Sequence, residues 1–150
     1  ERVRINGRVL DKDTFAGYFW KVHDAVSSAV AEYSVHLHYF HFLTVLGFYI
    51  FQEEQVDVAI MEVGLGGRLD STNVLPRPVV CGITLLDYDH VAILGNTLTL
   101  IAGEKAGIIK KDIPAVTTAV QPPEGMMVLT QHARAVSAPL FIAPSLSIYG

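Results

Sequence analysis

Two short apolar runs constrain the fold of this chain more than any other feature of its sequence. The first covers residues 56–61 and ends at Glu62, and the second covers residues 79–86 and ends at Asp87. Continuous apolar runs of this length, with Gly or Pro close by, are typical of strands that are buried on both faces of a parallel sheet. Ligands bind to such sheets outside the carboxyl ends of the strands. We therefore expect the polar residues that follow the two runs to lie in one site.

The second half of the chain alternates between strand-like and helix-like patterns. Residues 114–120 and 139–143 are predicted to be strands, and residues 124–136 are predicted to be a helix between them. A further helix is predicted around Lys105. This alternation predicts an α/β fold with a mainly parallel sheet flanked by helices.

The first part of the chain predicts a hairpin and two helices. An Asn-Gly pair at the centre of residues 3–10 supplies the positive φ angles of a tight hairpin turn. Asp11 or Asp13 can cap a helix that runs to about Tyr33. A second helix, over about residues 38–55, is apolar nearly all round, so we expect it to be buried.

Composition excludes several classes of protein. The net charge of -4 argues against nucleic-acid binding, which needs clustered Lys and Arg. The strongest apolar segment, residues 39–51, is shorter than the ~20 residues of a membrane-spanning helix, so no membrane partner is expected. The single cysteine, Cys81, cannot form a disulfide within the chain and favours a reducing compartment. The expected location is therefore the cytoplasm or the mitochondrion.

The ends of the sequence suggest a piece of a longer protein. The chain begins with the charged Glu1 rather than with Met, and it ends within the apolar and small residues 145–150. We therefore expect residues 1–150 to be a single partial domain.

Glu62 is the first candidate site residue. A carboxylate at the end of a buried strand loses its water unless a cation or a hydrogen-bond donor meets it. Mg²⁺ is a hard ion that takes oxygen ligands, so a metal ligand is one interpretation. An ion pair with Arg68, or a hydrogen bond from a backbone amide, is the other.

The glycine-rich loop after this acid has the sequence Gly64-Leu65-Gly66-Gly67-Arg68. The dinucleotide-binding fingerprint needs a third glycine where Leu69 stands and a helix where Pro76 and Pro78 follow. A dinucleotide-binding oxidoreductase is therefore disfavoured. We expect the glycines to let the backbone turn sharply and approach a ligand or a metal closely.

Asp87, Asp89 and His90 form the second candidate cluster. An imidazole just beyond a strand end can ligate a metal ion or transfer a proton. A hydrogen-bonding network within the loop is the alternative interpretation.

Lys105 is the third candidate. If Asn96 or Thr97 caps its helix, Lys105 shares one face with Ile101 and Ala102. A desolvated lysine holds more of its amine in the neutral form, which can act as a nucleophile or add to CO₂. The resulting carbamate is a carboxylate-like metal ligand. The alternative is a lysine whose stem covers apolar surface while its amine lies in water or pairs with a nearby acid.

Together these motifs resemble the signature of the folylpolyglutamate synthases. The resemblance is carried by residues 62–73 (EVGLGGRLDSTN), by residues 89–97 with Asp-His and Leu-Gly-Asn-Thr, and by residues 101–108 (IAGEKAGI). This family belongs to the Mur-ligase-like ATP-dependent amide ligases. The resemblance reaches to about Ala143 and implies a Mur-ligase central-domain-like fold, a P-loop-type α/β fold.

The resemblance also implies an activity. The family uses Mg-ATP to phosphorylate a folate carboxylate, and the amino group of L-glutamate then attacks the acyl phosphate. By motif position, Glu62 corresponds to the magnesium-binding glutamate and His90 to the histidine at a second Mg²⁺. Lys105 corresponds to the lysine that is carbamylated and supports the second ion. The implied catalytic residues are Lys105 and His90, the cofactors are two Mg²⁺ ions, and the partners are ATP, folate and L-glutamate.

The same motifs imply a substrate or nucleotide loop. Its residues are Gly64, Gly66, Gly67, Arg68, Asp70, Asn73 and Asp89.

The sequence departs from the family in two ways. No Gly-rich loop ending in Gly-Lys-Ser or Gly-Lys-Thr is present, and nothing matches the family's C-terminal domain. The chain therefore resembles the middle and latter part of the ATP-binding domain, and alone it is expected to be inactive. Asp87 stands where the family usually has Gly. Dihydrofolate synthase activity on the same scaffold and a non-catalytic α/β binding module both remain alternatives.

Overall fold

The hairpin predicted from the Asn-Gly pair is present in the computed structural model, which describes residues 2–144. Its strands are β1 (Arg4–Ile5) and β2 (Arg8–Val9), and they pair antiparallel. Asn6 and Gly7 have φ angles of 52° and 74°, as a tight hairpin turn requires. The hairpin prediction is confirmed.

The chain divides into two compact units, Glu1–Met61 and Glu62–Gly150. Glu1 and residues 145–150, which suggested a longer protein, lie outside the described residues. That residues 1–150 form one partial domain stays a prediction.

The long helix of the first unit begins where the sequence places its cap. Helix α1 spans Lys12–Tyr33, and the Asp11 carboxylate accepts hydrogen bonds from the backbone amides of Asp13 and Thr14. A side chain that accepts from the first free amides of a helix stabilises it by about 1 kcal/mol. The predicted cap and the predicted end near Tyr33 are both confirmed.

The second helix of this unit is less buried than expected. Helix α2 spans Tyr39–Glu53, and Tyr39 and Val45 are exposed. Its buried residues are Thr44, Leu46, Gly47 and Ile50. A helix is buried all round only when neighbours cover every face. In the first unit, one face of α2 packs in the cluster of Val22, Leu46 and Ile50, so the prediction of full burial was wrong.

The second unit contains a parallel sheet flanked by helices, which confirms the predicted α/β class. Among the described residues its strand order is β3-β4-β5, with every neighbouring pair parallel. The elements are β3 (Cys81–Ile83), α3 (Val91–Leu94), α4 (Leu98–Ala106), β4 (Ala115–Thr118), α5 (Pro123–Ala135) and β5 (Leu140–Ala143). A 3₁₀ turn, Ser71–Val74, lies in the long loop before β3.

Small residues let the helices of this unit lie close to the sheet. Ala102 and Ala106 of α4 and Ala115 of β4 are fully buried in the core with Leu129 of α5. Burial of a leucine side chain of this kind stabilises a fold by about 2 kcal/mol. No helix within residues 2–144 is long and apolar enough to cross a membrane.

The first apolar run does not form the predicted strand. Residues 56–61 are in no strand, and Val58 and Ile60 are 79% and 89% exposed. An extended segment becomes a strand only when a neighbour exchanges backbone hydrogen bonds with it. No strand in the described part of the chain does so, and the strand interpretation was wrong. The second run forms a strand only over Cys81–Ile83, and Val79, which lies before that strand, is exposed.

Candidate functional site

The glycine-rich loop lies directly on helix α4. The Arg68 amide donates to the Glu104 carbonyl at 2.8 Å. A Cβ on Gly67 would lie 2.9 Å from that carbonyl oxygen and 3.2 Å from the Lys105 Cα. Only a glycine lets two backbones approach so closely. The backbone that this glycine admits is therefore that of α4, beside Lys105.

An ion pair reinforces this contact. The Arg68 guanidinium donates to both carboxylate oxygens of Glu104, with Nη2 to Oε1 at 2.6 Å and Nε to Oε2 at 3.4 Å. Planar two-point pairs of this kind are among the stronger side-chain contacts. The suggested pairing of Arg68 with Glu62 is therefore wrong, because Arg68 is held by an acid on α4.

The Asn73 side chain connects the end of the glycine loop to the end of α4. Its side-chain amide donates to the carbonyls of Arg68 at 3.0 Å and Gly107 at 3.2 Å. Gly107 lies so close that a Cβ there would come within 2.7 Å of the Arg68 Cα. The Lys110 amine donates to the Asn73 carbonyl at 3.3 Å. The chain is thus bonded to α4 through Arg68, and to the residue that follows α4 through Asn73.

Asp70 organises the interior of the loop. Its carboxylate accepts from the amides of Gly64 and Leu65 at 3.1 and 3.0 Å, and from the amide and hydroxyl of Thr72 at 2.9 and 2.6 Å. Burial opposes the ionised form, but the hydrogen bonds from Thr72, Leu65 and Gly64 outweigh it and lower the pKa of Asp70. Asp70 is therefore a charged centre around which the loop folds.

The acids near His90 bond to neighbouring backbone amides. Asp87 accepts from the Tyr88 amide and Asp89 from the His90 amide, each at 2.7 Å. The loop-network interpretation holds for these two acids. His90 has a left-handed backbone (φ 50°), which is uncommon for a residue other than glycine. Its ring lies 3.5 Å from the Asp89 carboxylate and is 47% exposed, so an external ligand can reach it.

Lys105 lies on the predicted face of α4. The Thr97 hydroxyl caps the helix by accepting from the Leu100 amide at 3.2 Å. Ile101 and Ala102, which share that face, are fully buried, and Lys105 is partly buried beside the glycine loop. That Lys105 shares a face with Ile101 and Ala102 on a helix capped by Thr97 is confirmed, and its role in the site stays a prediction.

Gly66 marks the point where the three candidate segments meet. A Cβ on Gly66 would lie 3.0 Å from a side-chain carbon of Leu94, at the end of α3, and 3.6 Å from the Cβ of Glu104 in α4. Helix α3 begins directly after His90, and α4 carries Lys105. The loop itself follows the acidic candidate. The structure therefore brings the three segments together.

The segments meet, but the candidate side chains do not form a ready group of metal ligands. Glu62 is exposed and does not end a strand, because the run before it is not one. Within residues 2–144, no three or more His, Cys, Asp and Glu side chains are grouped closely enough to hold a metal ion. That Glu62 binds one Mg²⁺ and that His90 and Lys105 support a second stays a prediction.

Two residues of the site were not predicted from the sequence. Glu104 had a signal, since it precedes Lys105 in the same motif, but its partner lies 36 residues away. Gln121, a buried amide between β4 and α5, had none, because an isolated glutamine in a connecting segment is normally a surface residue.

Known proteins resemble this chain over nearly its whole length. A putative folylpolyglutamate synthase from Dictyostelium discoideum is 47% identical over 150 residues, which cover 99% of this chain and 24% of the relative. The folylpolyglutamate synthase of Arabidopsis thaliana is 50% identical over 133 residues, which cover 89% of this chain and 23% of the relative. The chain thus spans about a quarter of the length of these relatives. No family model matches it.

Solved structures give the same result. The apo form of L. casei folylpolyglutamate synthase (FPGS) superposes with a TM-score of 0.87 at 34% identity, covering 93% of this chain and 34% of that one. An FPGS complex with AMPPCP superposes with a TM-score of 0.89 at 34% identity, covering 95% of this chain and 35% of that one. The resemblance to folylpolyglutamate synthases and the α/β fold are both confirmed.

Proposed function

We propose that this chain is part of a folylpolyglutamate synthase, an ATP-dependent ligase that adds glutamate to the carboxylate of a folate. The proposal is carried by one structural observation: the glycine loop lies against both α3 and α4, so that the segments of Glu62, His90 and Lys105 meet. Similarity to the named synthases supports the reaction, and neighbours in complex with AMPPCP and with folate support ATP and folate as ligands.

The donor groups fit Mg²⁺. This ion is usually held by one or two carboxylates together with waters and substrate phosphates, so it does not need a closed cluster of protein ligands. Glu62 offers an exposed carboxylate, and His90 offers a half-exposed imidazole. Ions bound there would neutralise phosphate charge during phosphoryl transfer.

Lys105 completes the donor set as a carbamate. The lysine ammonium first loses a proton, and the neutral amine then adds to CO₂, forms an N–C bond and releases a second proton, so that a cation becomes an anion. The packing of α4 supports this role, since Ile101 and Ala102 are fully buried and fix the helix that carries the amine. Glu104 cannot easily pair with the Lys105 amine, because it is engaged by Arg68.

The glycine loop acts as a scaffold in this proposal. The amides of Gly64 and Leu65 already donate to Asp70, and the Arg68 guanidinium is held by Glu104. These groups are therefore engaged within the protein rather than free to cradle a phosphate. We propose that they fix the distance between Glu62 and Lys105, which positions the reactants.

The remaining parts of the proposal concern the longer protein. We propose that residues 1–150 form part of an ATP-binding domain and that L-glutamate and a C-terminal domain complete the site. The reaction would proceed through an acyl phosphate formed from the folate carboxylate and the γ-phosphate of ATP.

Replacement of Lys105 tests the proposal. In the full-length protein, Lys105→Ala should lower ATP-dependent addition of glutamate to tetrahydrofolate by roughly 100-fold, because an anionic group at the metals is lost. Acetate or formate should restore part of the rate. Lys111→Ala, which removes an exposed lysine further along the chain, is the matched control and should keep wild-type activity.

Each result has a separate meaning. Full activity in Lys105→Ala would exclude the carbamate. A full-length wild-type protein that adds no glutamate to any folate would exclude the proposed function itself.

A further inference from the structure

The chain that leaves β3 loses its neighbouring strand before it reaches the candidate site. The pairing of β3 with β4 ends at Ile83 opposite Thr117, and His90 follows only after a segment without regular structure. Backbone groups that leave a sheet in the protein interior need other partners. The partners of residues 84–86 therefore decide where His90 is placed.

The Gln121 side chain supplies these partners. Its carbonyl oxygen accepts from the Leu86 amide at 2.9 Å, and its nitrogen donates to the Thr84 carbonyl at 2.6 Å and to the Thr117 hydroxyl at 2.8 Å. The Thr117 hydroxyl in turn donates to the Ile83 carbonyl at 2.8 Å. Gln121 is only 8% exposed, and its bonds to Leu86 and Thr117 are buried, while its bond to the Thr84 carbonyl is partly buried. One amide thus takes the place of a neighbouring strand.

Leu86 is also fixed through its side chain. It is 2% exposed, and a Cβ on Gly125 of α5 would lie 2.7 Å from its Cδ1. Backbone and side chain of the same residue are therefore both held, the first by Gln121 and the second by α5. The exposed residues 87–90 follow directly from this anchored point.

We propose that Gln121 is a positioning residue for the reaction: it clamps residues 84–86 and thereby sets the position of His90 toward the phosphate-bound metal. This role rests on the proposed function. A buried amide is costly unless its hydrogen bonds are made, and here two of the three are made to the segment that leads to the site. A purely apolar side chain would serve the core as well but would leave two backbone groups of the segment without partners.

Gln121→Met in the full-length protein tests the clamp. Methionine keeps the length of the side chain and loses its hydrogen bonds. Amide hydrogen exchange at Leu86 should rise about tenfold or more, because a local opening becomes easier. The Mg²⁺ concentration for half-maximal activity should rise and kcat should fall, while the KM for folate stays near the wild-type value.

Three further variants separate the clamp from general stability. Leu129→Ala removes a fully buried core side chain and should lower stability without a selective change in exchange at Leu86. Thr118→Val removes a hydroxyl next to Thr117 whose contact is with the Val120 amide at 3.4 Å, and it should leave the exchange unchanged. Thr117→Val removes one partner of Gln121 and should give a smaller increase, and it carries the test if Gln121→Met folds poorly.

The outcomes distinguish the two proposals. Unchanged exchange at Leu86 in Gln121→Met, or a change no larger than that of Leu129→Ala at equal stability, overturns the clamp. If exchange at Leu86 rises selectively in Gln121→Met but the Mg²⁺ dependence of the activity is unchanged, the clamp exists and its role in the reaction is overturned. Absence of glutamate addition in the wild-type protein overturns the proposed function, while the exchange data still decide whether the clamp exists.

Discussion

The two units of this chain use their polar side chains differently. In the first unit, helices α1 and α2 pack through apolar residues around Leu46 and Ile50, and polar side chains bond to nearby backbone, as in the Asp11 cap. A hydrogen bond between two side chains, from the Tyr18 hydroxyl to Glu54 at 2.8 Å, links α1 to the residue after α2. In the second unit, polar side chains bridge distant segments, and Asn73 and Gln121 each bond to backbone more than 30 residues away. Helices satisfy their own backbone groups, whereas loops need partners from elsewhere. The unit with the candidate site therefore depends on a few polar residues.

The glycines show the same contrast. In the first unit, a Cβ on Gly17 or Gly47 would meet nothing within 4 Å. In the second unit, a Cβ on Gly67 or Gly107 would collide with the backbone of another segment. Glycine is thus required where the loop meets α4, and it is replaceable in α1.

Among the variants that test this contrast, loss of the Asp70 carboxylate should lower the free energy of unfolding the most. Asp70→Ala leaves the amides of Gly64 and Leu65 and the Thr72 hydroxyl without their acceptor. We expect the free energy of unfolding to fall by roughly 3 kcal/mol, measured by urea denaturation. Asp57→Ala, at an exposed position of the first unit, is the control and should change it by less than about 0.5 kcal/mol. Equal effects would remove the difference between the units.

The contribution of Asp70 should depend on pH in a defined direction. Because its pKa is lowered below the ordinary 3.8, the ionised form stabilises the folded state above that pH. The contribution is fully present above the ordinary pKa and is lost as the pH falls through the lowered one. The stability difference between wild type and Asp70→Asn should therefore shrink only below about pH 3.8. A difference that already shrinks near neutral pH would contradict the lowered pKa.

The same contrast explains what could be predicted from the sequence. The hairpin turn and the caps at Asp11 and Thr97 are local signals, and all three are correct. The strand over residues 56–61 was wrong because strand formation needs a partner that the local pattern does not show. Asp70, predicted to be a ligand-loop residue, bonds to residues at most six positions away. The role of Gln121 depends on bonds to Thr84 and Leu86, which lie more than 30 residues away and which the local pattern does not show. The sequence motifs located the site, and the contacts that hold it are non-local.

After Asp70→Ala, the next largest loss in the free energy of unfolding should come from a Cβ on Gly67. Gly67→Ala places a methyl group 2.9 Å from the Glu104 carbonyl oxygen and 2.9 Å from a side-chain carbon of Ile108, so the loop and α4 must move apart. We expect a loss of about 2 kcal/mol in the free energy of unfolding. Gly103→Ala is the matched control, because a Cβ on that residue of α4 meets nothing within 4 Å. If both variants are equally stable, the close contact between loop and helix does not exist.

The smallest expected change is an increase in the free energy of unfolding, in Gly17→Ala. Gly17 lies in the interior of α1, is exposed, and has open space where a Cβ would be. Alanine loses less backbone entropy in a helix than glycine, so Gly17→Ala should raise the free energy of unfolding by about 0.8 kcal/mol. Gly7→Ala is the control within the same unit, because Gly7 has a φ of +74° that alanine adopts only with strain, and it should destabilise the hairpin. The measurement is urea denaturation followed by circular dichroism. A loss of stability in Gly17→Ala comparable to that of Gly67→Ala would mean that glycine is required in both units, and the contrast between them would fail.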